Sequence, residues 1–95
     1  MKNIPMKAFS ARVRGIVQGV GFRYAAVSEA HRLNVRGFVR NTPDGDVEVT
    51  AEGPADKVDQ FQVWLNRGPA GAVVREVSVE NRIYQGHFDR FTIEY

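Results

Sequence analysis

The chain has 95 residues, 13 of them lysine or arginine and 11 aspartate or glutamate, for a formal net charge of +2. That length allows one domain with one modest core, and the interspersed charge makes a weak field, far from the footprint of a dedicated nucleic-acid-binding arm. The absence of cysteine excludes a disulfide framework, a thiolate nucleophile and a cysteine metal site, and no apolar run approaches the roughly eighteen residues of a membrane span.

Residues Met1 to Met6 lack the apolar core of a secretory signal and read as a flexible segment ahead of a single domain over 7–95, so a cytoplasmic protein with no membrane contact is expected. Phe9, Ala11, Val13, Gly15 and Val17 then alternate with Ser10, Arg12, Arg14 and Ile16, the period of a strand buried on one side. Past a glycine-bearing loop, Phe22, Ala25, Ala26, Ala30 and Leu33 recur at three- and four-residue spacing and predict an amphipathic helix from about Phe22 to Leu33. Asn34 tolerates the left-handed conformation that ends a helix, and Val35, Gly37 and Val39 resume period two in a second strand closing on Asn41.

Thr42-Pro43-Asp44-Gly45 has the proline and glycine of a hairpin turn. In the third strand Val47, Val49 and Ala51 face one way and Glu48, Thr50 and Glu52 the other, until Gly53-Pro54 opens a second helix running to about Asn66. Val58, Phe61, Trp64 and Leu65 form its apolar stripe, Asp56 and Asp59 sit near its positive end, and Gly68-Pro69 stops it. Ala70 to Ala72 reads as loop, Val73 to Ile83 as a fourth strand with Val77 and Val79 inward, and Phe91, Ile93 and Tyr95 as a short closing strand. The order strand, helix, strand, strand, helix, strand is that of an α+β, ferredoxin-like split βαβ sandwich. Its antiparallel sheet has two helices on one face, and the short C-terminal strand is extra.

The join Val17-Gln18-Gly19-Val20-Gly21-Phe22-Arg23 carries the chemistry. Glycine reaches backbone angles closed to other residues, so the amides of Gln18, Gly19, Val20, Gly21 and Phe22 are able to converge on one anion in front of a positive helix N-terminus. Arg23 adds a permanent charge whose planar fork of donors matches phosphate oxygens. In this fold strands one and two are parallel with strand three between them, so their carboxyl ends share one edge of the sheet. Neighbouring strands lie about 4.8 Å apart, which puts the loop and Asn41 on the order of 10 Å from each other. Arg23 and Asn41 are therefore expected to face one ligand, the arginine on its oxygens and the amide on an attacking water.

Arg14-Gly15-Ile16-Val17-Gln18-Gly19-Val20-Gly21-Phe22-Arg23 together with Gly37-Phe38-Val39-Arg40-Asn41 resembles the two signature segments of the acylphosphatase family. The likeness extends to Asp44-Gly45, Glu52-Gly53-Pro54, Trp64-Leu65, Gly68-Pro69 and the terminal Phe91-Thr92-Ile93-Glu94-Tyr95. Two departures, Phe38 where many relatives have tryptophan and Asn34 where many have glycine, touch none of the site chemistry. The resemblance implies hydrolysis of a small acyl phosphate to carboxylate and inorganic phosphate with no cofactor and no metal, Arg23 binding the phosphate and Asn41 the water. Inorganic phosphate or sulfate is then the expected site ligand, and a monomer the expected form.

The residues fit that chemistry on their own terms. Near the cradle there is no obvious general acid, no partnered serine or cysteine nucleophile and no ligand cluster for a metal, so a poor leaving group would get no help, whereas a carboxylate departs unaided. Asp44 and Asp46 read as hairpin residues, His31 and His87 as surface histidines, and Trp64 and Phe61 as core.

Gly19-Val20-Gly21 lacks the third glycine of a dinucleotide fingerprint, and no Gly-Lys-Ser/Thr follows for a P-loop. An RNA-recognition module shares the topology, and Arg36-Gly37-Phe38-Val39 hints at its signature. That signature belongs on strand three, however, where Glu48, Thr50 and Glu52 stand instead, so no nucleic-acid partner is expected. Arg12, Arg14, Arg36 and Arg40 on that face are expected to pair with those carboxylates. The cradle also resembles the first domain of large carbamoyl-transferring maturation proteins. With no zinc motif or further domain in the sequence, a free-standing enzyme is expected, carbamoyl phosphate staying among the possible substrates. A binding domain without turnover is the third alternative, which a steady-state assay separates.

Overall fold

The computed structural model describes residues 4–95, so the first three residues of the expected N-terminal segment lie outside the described residues. The elements follow in the order β1 (Met6–Ile16), α1 (Phe22–Leu33), β2 (Arg36–Asn41), β3 (Val47–Pro54), α2 (Ala55–Leu65), β4 (Val73–Arg82) and β5 (Phe91–Glu94). They build one sheet in the order β4-β1-β3-β2-β5, with α1 over β2 and β5 and α2 over β1 and β3.

α1 spans the predicted residues because its signals are local. Ala26 and Ala30 let the helix lie close on the sheet, Phe22 and Leu33 bury its two ends, and Asn34 at φ 57° closes it, its N–H directed to the carbonyls of Ala30 and His31. Beneath it Phe9, Val13, Val39, Val47, Val49 and Phe91 join Val58, Phe61 and Leu65 of α2 in one core. Phe61 stacks on Trp64 with centroids 6.0 Å apart and meets Phe91 edge-on at 5.3 Å. Each such large side chain withdrawn from water contributes about 1.5 to 3 kcal/mol.

β1 pairs antiparallel with β3 and β4, and β2 antiparallel with β3, but β5 runs parallel to β2, which makes the sheet mixed instead of wholly antiparallel. The chain leaves β4 at the end of the sheet where β2 begins, crosses below the sheet in residues 83–90, and returns upward beside β2. This crossover changes the reading of Glu52. Expected to face water, it is 4% exposed, because its carboxylate accepts the N–H groups of Gly86 and Phe88, both at 3.2 Å. Its strand neighbour Arg36 donates to the Phe88 carbonyl at 3.5 Å instead of pairing with it. Val79 lies opposite Ala11 as an inward residue, yet β4 is an edge strand and leaves it 38% exposed. Met6 lies opposite Pro54 at the start of β1, and the Ala55 N–H donates to the Pro5 carbonyl at 2.9 Å.

The register positions the site. Asn41 lies opposite Val47, and Val47 opposite Val13, so one row crosses β2, β3 and β1 at the upper end of the sheet. β1 continues beyond that row through an irregularity at Arg14 and Gly15, and the Gln18 loop leaves from its end, above Asn41 and the hairpin that follows it.

Candidate active site

Gly19 and Gly21 take φ values of 74° and 76°, and a methyl group added at either would meet nothing within 4 Å. The demand at these positions is therefore on backbone angle and not on packing, as a loop that turns its amides together requires. Gly21 caps α1 with no side-chain hydrogen bond, and no acidic residue stands in the first turn. The Ala25 N–H reaches the Gly21 carbonyl at 3.0 Å. By helix geometry the N–H groups before it point outward along the axis, and no acid of the helix's own first turn offsets its positive end.

The flanking side chains fasten this loop. Val17 is buried, Val20 packs against the core, and Phe22 is 2% exposed with its ring 5.5 Å from that of Trp64. Gln18, assigned from the sequence to the backbone cradle, also uses its side chain: Nε2 donates to the carbonyls of Thr42 and Asp46, each at 2.8 Å. Loop and hairpin, far apart in sequence, are thereby tied together one residue beyond Asn41.

Asn41 ends β2, and its Oδ1 is buried with no hydrogen-bond partner among the described residues. A buried amide oxygen without a protein partner is costly, and such groups are explained by strain, by a bound water or ion, or by a catalytic role. Arg23, on the first turn of α1, is half-buried, and its guanidinium lies 5.3 Å from the centroid of the Tyr95 ring. Tyr95 is exposed and directly follows Glu94, which lies opposite Arg40, the residue before Asn41 in β2. Among the described residues Arg23 forms no salt bridge.

Two neighbours of these residues, Tyr95 beside Arg23 and Thr42 after Asn41, are not signalled by the sequence. The first depends on the parallel pairing of β5, which no local pattern announces. Thr42 is 5% exposed and organises the hairpin: its Oγ1 donates to Asp44 Oδ1 and accepts the Asp46 N–H at 3.0 Å, while its backbone N–H donates to the Asp46 carbonyl at 2.9 Å. The Thr42 hydroxyl, helped by Arg12, holds the Asp44 carboxyl below its ordinary value. Asp46 lies 3.6 Å from Arg12 and 3.4 Å from Arg14. Asp44 thus serves the hairpin with its side chain, whereas Asp46 serves it with its backbone and turns its carboxylate to the arginines of β1.

On the open face Glu48 lies 3.3 Å from Arg40 and 3.8 Å from Arg12, while Arg14 pairs with Glu76 at 2.6 Å and is held further protonated by it. These cations are already engaged, which leaves little for a phosphate backbone. His31 donates to the Phe91 carbonyl at 3.1 Å, tying α1 to β5, and His87 contacts Gln85. Among the described residues no group of three or more histidine, aspartate or glutamate side chains gathers as a metal site, and no helix is long and apolar enough to cross a membrane.

A family model described as Acylphosphatase matches residues 9–93. An acylphosphatase of Burkholderia ambifaria is 49% identical over 86 residues, which are 90% of this chain and 88% of that protein. Among solved structures, the acylphosphatase from Bacillus subtilis matches with a TM-score of 0.90 at 36% identity, over 94% of this chain and 99% of that one. The HypF protein of T. kodakarensis matches with a TM-score of 0.81 at 32% identity, over 94% of this chain but 12% of that one.

Proposed function

The chain belongs to the acylphosphatase family, hydrolases that act on acyl phosphates, and from that premise we propose that it cleaves the carboxyl–phosphate bond of small acyl phosphates by direct attack of water, without a metal. The observation that carries this reading is the buried, unpartnered Asn41 Oδ1 at the strand end to which the Gln18 loop is tied. An amide oxygen accepts a hydrogen bond from water and leaves a water lone pair free to attack. The amides of Gln18 to Phe22, the start of α1 and Arg23 take the phosphoryl oxygens, inorganic phosphate and sulfate included, and stabilise the charge that spreads over them.

The water oxygen bonds to phosphorus as the bridging P–O bond breaks, both electrons leaving with the carboxylate, and the water proton passes to the phosphate. A carboxylate departs without protonation, so neither a general acid nor a Lewis acid is required. That limits the site to good leaving groups. The work is positioning and electrostatic stabilisation within a single domain, for which a monomer in the cytoplasm suffices.

Phosphate release from acetyl, benzoyl and carbamoyl phosphate, with chelator present and a phosphate monoester as control, tests the reading. Turnover of acyl phosphates undiminished by chelator, with none of the monoester, is expected. No turnover of any of the three would overturn it.

A further inference from the structure

We propose that Gln18 is a positioning residue, whose side-chain amide sets the distance between the phosphate loop and Asn41. The inference rests on the acylphosphatase reading above and adds to it a part that backbone amides alone do not supply. Both hydrogens of Nε2 are used, one on the Thr42 carbonyl and one on the Asp46 carbonyl, at equal distances of 2.8 Å. These two residues face each other across the mouth of the hairpin, joined by the Thr42 N–H on the Asp46 carbonyl, so Gln18 grips both of its sides.

A single bond would fix the loop to the hairpin at one point only. Two bonds from one planar group to two carbonyls fix height and orientation together. Thr42 is bonded directly to Asn41, so any slip of loop against hairpin moves the phosphate away from the water that Asn41 holds. Displacements of about 1 Å cost on the order of a hundredfold in rate. Anion binding depends on the loop amides and Arg23, which move with the loop, and is nearly indifferent to the slip. Gln18 therefore belongs to turnover more than to affinity.

Gln18→Met keeps reach and bulk but has no donor, and is expected to lower kcat about ten- to a hundredfold while KM and inhibition by inorganic phosphate stay within about threefold. In Gln18→Glu an ionised carboxylate would face two carbonyl oxygens, whereas its protonated form donates once. Activity of this variant should fall with rising pH along a limb that the parent lacks.

In the parent, the Gln18 side-chain amide protons should be distinct by NMR and slow to exchange with water, a readout independent of turnover and of variant folding. Fast exchange, kcat in Gln18→Met within twofold of the parent, or phosphate affinity lost in proportion to kcat would each overturn the proposal. A parent that hydrolyses no acyl phosphate overturns the function instead, and the amide protons then decide whether the bracket exists.

Discussion

Arg23 and Asn41 divide one task in the proposed reaction, and their chemistry makes the division measurable. A guanidinium holds the phosphoryl group in the ground state and more tightly as charge builds, so Arg23→Ala should weaken phosphate binding and turnover together. Each charge-assisted hydrogen bond lost is worth about 1.5 to 3 kcal/mol, roughly 10- to 150-fold. Asn41→Ala should depress kcat far more than phosphate affinity, because water positioning matters only in the reaction. Steady-state kinetics with inorganic phosphate as inhibitor separates the two, and equal loss of affinity in both variants would make Asn41 a second anchor. At this scale the sequence was informative where residue type dictates chemistry: two glycines at left-handed angles and an arginine behind them. It was silent where a role depends on a distant partner. Nothing in Gln18 announces two carbonyls across the hairpin, and nothing in Tyr95 announces a guanidinium above its ring.

The hairpin between β2 and β3 is the element on which the site leans, and its Asp44 gives it a pH dependence. The Thr42 hydroxyl, with Arg12 beyond it, depresses the folded-state pKa of this carboxyl below its ordinary 3.8. The stabilisation is therefore complete above the unfolded value and lost as pH falls through the folded one. Thermal melts from about pH 6 down to about pH 2 should show the parent losing an increment of stability that Asp44→Asn does not lose. The increment is small because the carboxylate is exposed, and parallel curves would remove Asp44 from the account. Elements with local signals were legible to the residue, as α1 was between a glycine turn and Asn34. The burial of Glu52 was not, because it is caused by the amides of Gly86 and Phe88, which reach it only through the crossover to β5.

At the scale of the whole molecule the proposed site depends on convergence. An antiparallel β3 between parallel β1 and β2 brings two carboxyl ends to one edge of the sheet, and the row Val13, Val47, Asn41 measures the gap. That arrangement was legible from the order of elements alone, since the split βαβ connection admits few alternatives. The parallel seat of β5 was not, because a four-residue strand at the end of a chain has two edges open to it and no pattern that chooses between them.

The central claim is that loop, arginine and asparagine act on a single anion. Titration of the isotope-labelled protein with inorganic phosphate, followed by NMR, tests it most directly. The backbone amides of Gly19 to Arg23 and the side-chain amide of Asn41 should shift along one saturation curve, and Arg23→Ala should weaken that curve at every one of these positions. Phosphate that shifts the open sheet face and leaves these signals in place, or that binds the Arg23→Ala variant as tightly as the parent, would contradict it.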